Sequence, residues 1–219
     1  FWWGGDGIAT EHTAYLRLKE GLKAPLSGSW QTNGKTMAEQ IGGQIFSDCW
    51  GYVSMGDAAL AADLAGKMAS VTHDLDGIEG GRFVAACIAL AYTHDRCDVI
   101  IEEALKLIHP ESSYAKLVRE IVAVHASGKT AQECLTYIQE MHGYDKYEGV
   151  CHILPNTAIM IMAMLYGEND FSKTMTMLCE AGWDTDCTCG NVGSIMGAMG
   201  IERIDEKDRK STRLNSSHC

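Results

Sequence analysis

The chain has 219 residues, 46% of them hydrophobic and 21% charged, with a formal net charge of -11. That is enough apolar material for one sizeable core, and a single domain is the default at this length. The acidic balance argues against nucleic-acid binding, which needs clustered Lys and Arg, and against docking on anionic membranes.

The chain begins at Phe1, and Phe1-Trp2-Trp3-Gly4-Gly5 reads as if cut from a longer chain. Thr10 to Gly21 then reads as a helix with Tyr15, Leu18 and Leu22 on one side. A loop with Pro25, Gly28, Asn33 and Gly34 follows. Met37 to Cys49 forms the next candidate helix, interrupted by Gly42-Gly43. Asp57 is a good N-cap for a helix carrying Leu60, Leu64, Met68 and Val71, and Thr72-His73-Asp74 ends it. Ile78 to Tyr92 is apolar on nearly all sides from Phe83 to Ala91, as befits the centre of a bundle.

Cys97 to Ile108 turns Ile100, Ile101, Ala104, Leu105 and Ile108 inward and Glu102-Glu103 outward. Ser112 or Ser113 caps Tyr114 to Ser127, and Thr130 caps Ala131 to His142. Asn156 to Tyr166, with Pro155 at its start, is a second buried helix. Asp170 caps Phe171 to Ala181, Gly182 closes it, and Thr188 to Met199 is the last helix. No stretch alternates with period 2. The expectation is an all-α, single-domain orthogonal helical bundle of about ten helices over 1–200, with a disordered tail from 201 to 219. The last ten residues turn abruptly polar and basic and resemble translated linker sequence.

The nine cysteines are odd in number, mostly set in apolar helical runs, and show no disulfide-framework spacing. They predict a reduced, cytoplasmic protein with thiols used as small core residues. Cys151-His152 with Cys187 and Cys189 lacks the Cys-x₂₋₄-Cys spacing of zinc sites.

The chemistry concentrates in Gly182-Trp183-Asp184-Thr185-Asp186-Cys187-Thr188-Cys189-Gly190-Asn191-Val192-Gly193. In an extended turn, Asp184 and Asp186, two apart, project to the same side. Their repulsion is relieved by a cation such as Mg²⁺, Mn²⁺ or Ca²⁺ bound through oxygen. The helix N-terminus that follows also favours ionised carboxylates. Spacing alone serves a helix cap equally well, since Asp is among the commonest N-caps. Gly190, Gly193 and Gly197 make a nearly side-chain-free stripe that implies close approach of a helix or ligand.

This segment resembles the C-terminal metal motif of the ADP-ribosylglycohydrolase family, Asp-Thr-Asp-Thr followed by a glycine-spaced helix, in a bacterial subgroup with Trp-Asp-Thr-Asp-Cys. Two further stretches are similar to that family in the right order. Thr72-His73-Asp74 through Ile78-Glu79-Gly80-Gly81 to Phe83-Val84-Ala85-Ala86 is similar to its central His-containing loop and buried helix. Ile41-Gly42-Gly43-Gln44-Ile45 through Gly51 is similar to its glycine-rich ligand loop. The resemblance covers roughly residues 9 to 200.

It implies an all-α hydrolase with a binuclear Mg²⁺ or Mn²⁺ centre that cleaves the glycosidic bond to ADP-ribose in an ADP-ribosylated substrate. Asp184 and Asp186 are then metal-binding and catalytic. Gly42, Gly43 and Gln44 line the phosphate and ribose region, and His73 sits at the substrate cleft. Two departures stand out. The last metal-ligating Thr of the family falls on Cys187, a softer ligand. The family's Thr-Asp-Asp half of the site has no match and would precede Phe1, leaving half a centre and an inactive fragment as one expectation. Two rival readings are a non-catalytic ADP-ribose or nucleotide-binding module and a structural helical domain in which the aspartates only cap. Asp48, on the glycine-loop segment, is a candidate for ordering ligands or for capping.

Overall fold

The computed structural model describes residues 9–200. The opening at Phe1 to Gly5 and the tail from 201 lie outside the described residues. The described chain is all-α, as expected: α1 (Thr10–Lys19), α2 (Trp30–Asn33), α3 (Lys35–Ala38), α4 (Gly42–Ile45), α5 (Asp48–Val53), α6 (Ala58–Ala69), α7 (Asp76–Ala91), α8 (Cys97–Leu105), α9 (Ser113–Ala126), α10 (Ala131–His142), a 3₁₀ turn (Tyr144–Lys146), α11 (Ile153–Tyr166), α12 (Phe171–Ala181) and α13 (Thr185–Ala198). Its only β-type pairing among the described residues is an isolated bridge between Gln40 and His152.

Two helices form the centre. In α7 every residue from Phe83 to Ala91 is buried, and in α11 every residue from Ile153 to Met164. A helix apolar all round is stable only where other helices enclose it. For α7 these are chiefly α4, α5, α6, α8 and α13, and for α11 chiefly α9, α10 and α12.

The boundaries follow local chemistry. Asp57 accepts from the Leu60 amide, Ser112 from Ala115, and Asp170 from Lys173. Thr130 and Glu133 form a capping box. Gly182, at φ 70°, closes α12 in the left-handed region that a side chain would resist.

Three expectations are revised. The face of α6 that meets the core is Ala58, Ala61, Ala62, Ala65 and Ala69, while Leu60 is 45% exposed and Leu64 and Met68 are half-buried. Alanines bring the α6 backbone close to α7, a gain that a leucine stripe would prevent. The candidate helix from Met37 to Cys49, expected to be interrupted at Gly42-Gly43, is divided into α3, α4 and the start of α5, with the break at 39–41 and Gly42-Gly43 opening α4. Here the chain presses on α7 so closely that a Cβ on Gly43 would lie 2.2 Å from the Gly77 carbonyl oxygen. Finally, α11 and α13 each begin three residues earlier than expected, α11 behind the cap His152, which accepts from Leu154, and α13 behind Asp184.

Candidate metal centre

Asp184 adopts φ 51° and ψ 56°, left-handed values that Asp tolerates better than most residues. Its carbonyl oxygen accepts the Thr188 amide at 3.1 Å, the first bond of α13. Its carboxylate caps nothing. Oδ2 accepts instead from the Cys151 thiol at 2.9 Å and from Asn156 Nδ2 at 3.3 Å. Asp186 and Cys187 follow in the first turn. One ligand atom from each of Asp184, Asp186 and Cys187 lies within 4.8 Å of the others. The convergence therefore comes from a left-handed residue feeding a helix, where an extended turn had been expected.

The donor set suits a hard divalent cation through its two carboxylates, while the thiol is the poorer ligand. Burial, then the neighbouring Asp184, pushes the Cys151 thiol up to about 12 and raises that of Cys187 as well. Both are neutral thiols beside a carboxylate, and a bound cation would reverse that preference. The helix N-terminus adds its partial positive charge. Tyr144 and Trp183 stand beside the cluster, with ring centroids 5.3 Å apart.

Behind the carboxylates lies a buried amide network. Gln44, with no exposed surface, donates to Asn156 Oδ1 at 3.1 Å and to Asn191 Oδ1 at 3.3 Å. It accepts from the Tyr114 hydroxyl at 2.9 Å and the Thr157 hydroxyl at 3.0 Å. Asn191 and Ser194 in turn donate to the two oxygens of Asp48. Burial raises the Asp48 carboxyl, and these two bonds oppose it. Asp48 thus joins the network, and its carboxylate is not a cap.

Gly42 lines a cavity of about 240 Å³ with Glu11, Gln40 and Cys151. His73 is fully buried beneath Gly42 and Gly43, and a Cβ on Gly42 would lie 2.8 Å from His73 Cε1. Its Nδ1 meets the Thr72 hydroxyl at 2.6 Å, and Nε2 has no hydrogen-bond partner among the described residues. Burial pushes its pKa down to about 4, which favours the neutral imidazole.

The chain thus brings Asp184, Asp186 and Cys187 together and ties Asp184 through Asn156 to Gln44. Gly42 opens on a cavity that reaches Cys151, the thiol donor to Asp184. Gly43, Gln44 and His73 stand behind that surface, with none of them exposed. Sequence reasoning gave no site role to Asn156 or Asn191 and weighed Cys151 only as a zinc ligand. The available signal was an Asn-Thr pair inside the otherwise apolar α11. The stripe of Gly190 and Gly197 meets nothing within 4 Å among the described residues, and a Cβ on Gly193 would touch only Met175 Sδ at 3.9 Å, so no close packing explains it there.

Fold and cluster define an all-helical protein carrying a carboxylate group suited to a divalent cation. The ADP-ribosylglycohydrolase family model matches residues 2–214, and the chain belongs to that family. Its members are hydrolases that act on ADP-ribosylated substrates, generally with divalent metals. No curated protein and no solved structure matches the chain. Among the described residues, no helix is long and apolar enough to cross a membrane.

Proposed function

We propose that this chain is a cytoplasmic hydrolase that cleaves the glycosidic bond between the anomeric carbon of ADP-ribose and its acceptor, with Asp184 and Asp186 as its share of a binuclear Mg²⁺ or Mn²⁺ centre. The observation that carries the proposal is the Asp184 carboxylate. It sits at a helix N-terminus without capping it and points where Asp186 and Cys187 also point. A carboxylate used only to start the helix would accept backbone amides.

Bound there, a divalent cation would lower the pKa of a water and offset charge developing in an oxocarbenium-like transition state. The protein's own part is positional. Asn156 holds one Asp184 oxygen, and Gln44 holds Asn156 from inside the core. Gly42, Gly43, Gln44 and His73 build the wall behind the ADP-ribose region, with Gly42 at its surface. Cys187 faces the same point as a neutral thiol and contributes least to holding a hard cation. That position favours one rival reading, a module that binds ADP-ribose without turning it over.

Calorimetric titration of the chain with Mn²⁺, beside Asp184→Asn, tests the centre. Asn tolerates the same left-handed backbone, so the variant isolates the charge. The expected result is Mn²⁺ binding by the unaltered chain and none by the variant, with unfolding free energies within about 1 kcal/mol of each other. Equal Mn²⁺ affinity in the two would overturn the proposed centre. Binding of ADP-ribose with no release from any ADP-ribosylated Arg or Ser peptide, Mn²⁺ present, would select the non-catalytic reading.

A further inference from the structure

The junction of α12 and α13 carries a second chemistry. Cys179, exposed on the last turns of α12, and Cys189, half-buried on α13, bring their sulfurs to 3.8 Å. Cys87, Cys97 and Cys134, by contrast, are buried core thiols. A disulfide bond is about 2.05 Å long, so the pair is in sulfur–sulfur contact and closes by less than about 2 Å. The tight connection through the left-handed Gly182 and Asp184 holds the two helices side by side.

We propose that Cys179 and Cys189 form a reversible disulfide, closing a loop around the segment that carries Asp184, Asp186 and Cys187. The oxidant class is a small disulfide such as oxidised glutathione. The Cys179 thiolate attacks one of its sulfurs, forming a mixed disulfide and expelling one glutathione thiolate. The Cys189 thiolate then attacks the Cys179 sulfur and expels the second. In balance, two protein thiols and one oxidised glutathione give one protein disulfide and two reduced glutathione molecules. Exposure of Cys179 gives the oxidant its access, and any dithiol reductant reverses the step.

The consequence for the site rests on the proposed metal reading. Cys189 lies one turn along α13 from Asp186, so drawing its sulfur toward α12 shifts the first turn of that helix. Well-formed metal sites keep ligand distances within about 0.2 Å of their ideal values. Oxidation should therefore weaken Mn²⁺ binding about tenfold, the lower end of what disturbed ligand support costs.

The test treats the full chain with oxidised glutathione under native conditions, alkylates the remaining thiols and maps the peptides. The expected result is a Cys179–Cys189 linked peptide that dithiothreitol removes and that Cys179→Ser and Cys189→Ser each abolish. Both thiols still alkylated, a stable glutathione adduct on Cys179 without linkage, or a different linked pair would overturn the proposal. Mn²⁺ titration of the reduced and oxidised forms separates the two readings. If the linked peptide forms but the reduced chain binds no Mn²⁺, the metal reading fails and the disulfide stands. Equal Mn²⁺ affinity in both forms overturns the coupling.

Discussion

Asn156 donates to Asp184 at 3.3 Å while its own carbonyl oxygen accepts from Gln44 at 3.1 Å, so a side chain wholly inside the core holds one at the surface cluster. Replacing Asn156 by Ala removes that hold without touching a candidate ligand. Mn²⁺ affinity should fall by about 10–100-fold, as when other outer supports of metal ligands are removed. Stability should fall by about 1–3 kcal/mol, because Gln44 loses one of its acceptors. Calorimetry well below the unfolding temperature reads the first effect and urea unfolding the second. A stability loss with unchanged affinity would mean that Asn156 serves the core alone.

The neutral His73 makes stability fall in acid. Its folded pKa of about 4 lies below the usual 6.5, so the unfolded chain binds the proton more readily. The stabilisation is fully present above pH 6.5 and is lost as pH falls toward 4, with a ceiling of about 3 kcal/mol. Urea unfolding at several values between pH 4 and 7 should show this slope in the unaltered chain and a flatter one in His73→Gln. Identical slopes would mean that His73 is solvated and titrates normally.

Two glycine replacements should move stability in opposite directions. In Gly43→Ala the new methyl meets the Gly77 carbonyl, a backbone atom that cannot turn aside, and the cost should be about 3 kcal/mol or more. In Gly190→Ala the methyl meets nothing among the described residues, and helix propensity alone should raise stability by about 0.5–1 kcal/mol. Thermal unfolding of both variants checks the pair. A destabilised Gly190→Ala would show that something does cover that face of α13.

The sequence revealed what local rules govern and missed what distant residues decide. Asp57, Thr130, Asp170 and Gly182 announce helix ends because each acts on amides or carbonyls a few residues away. The unbroken apolar run of α7 announces burial for the same reason. The inward face of α6 was misread because leucines outrank alanines in hydrophobicity, whereas here closeness of approach to α7 decides. Asp184 and Asp186 were legible as a pair, but the left-handed start of α13 was not, since an Asp ahead of a helix suggests an ordinary cap. The network through Gln44 could not be read at all. Its partners Asn156 and Asn191 lie 112 and 147 residues away in the chain, and no local pattern links such positions.

The enclosure of α7 has a kinetic consequence. Its amides from Phe83 to Ala91 have no route to solvent short of opening the helices around them, so their deuterium uptake should follow whole-molecule unfolding. Frayed or surface segments such as α1, whose outer face is exposed, should take up label through local openings and much sooner. The slowest amides of α7 would then serve as an internal clock for the entire fold, readable without any ligand or assay of activity.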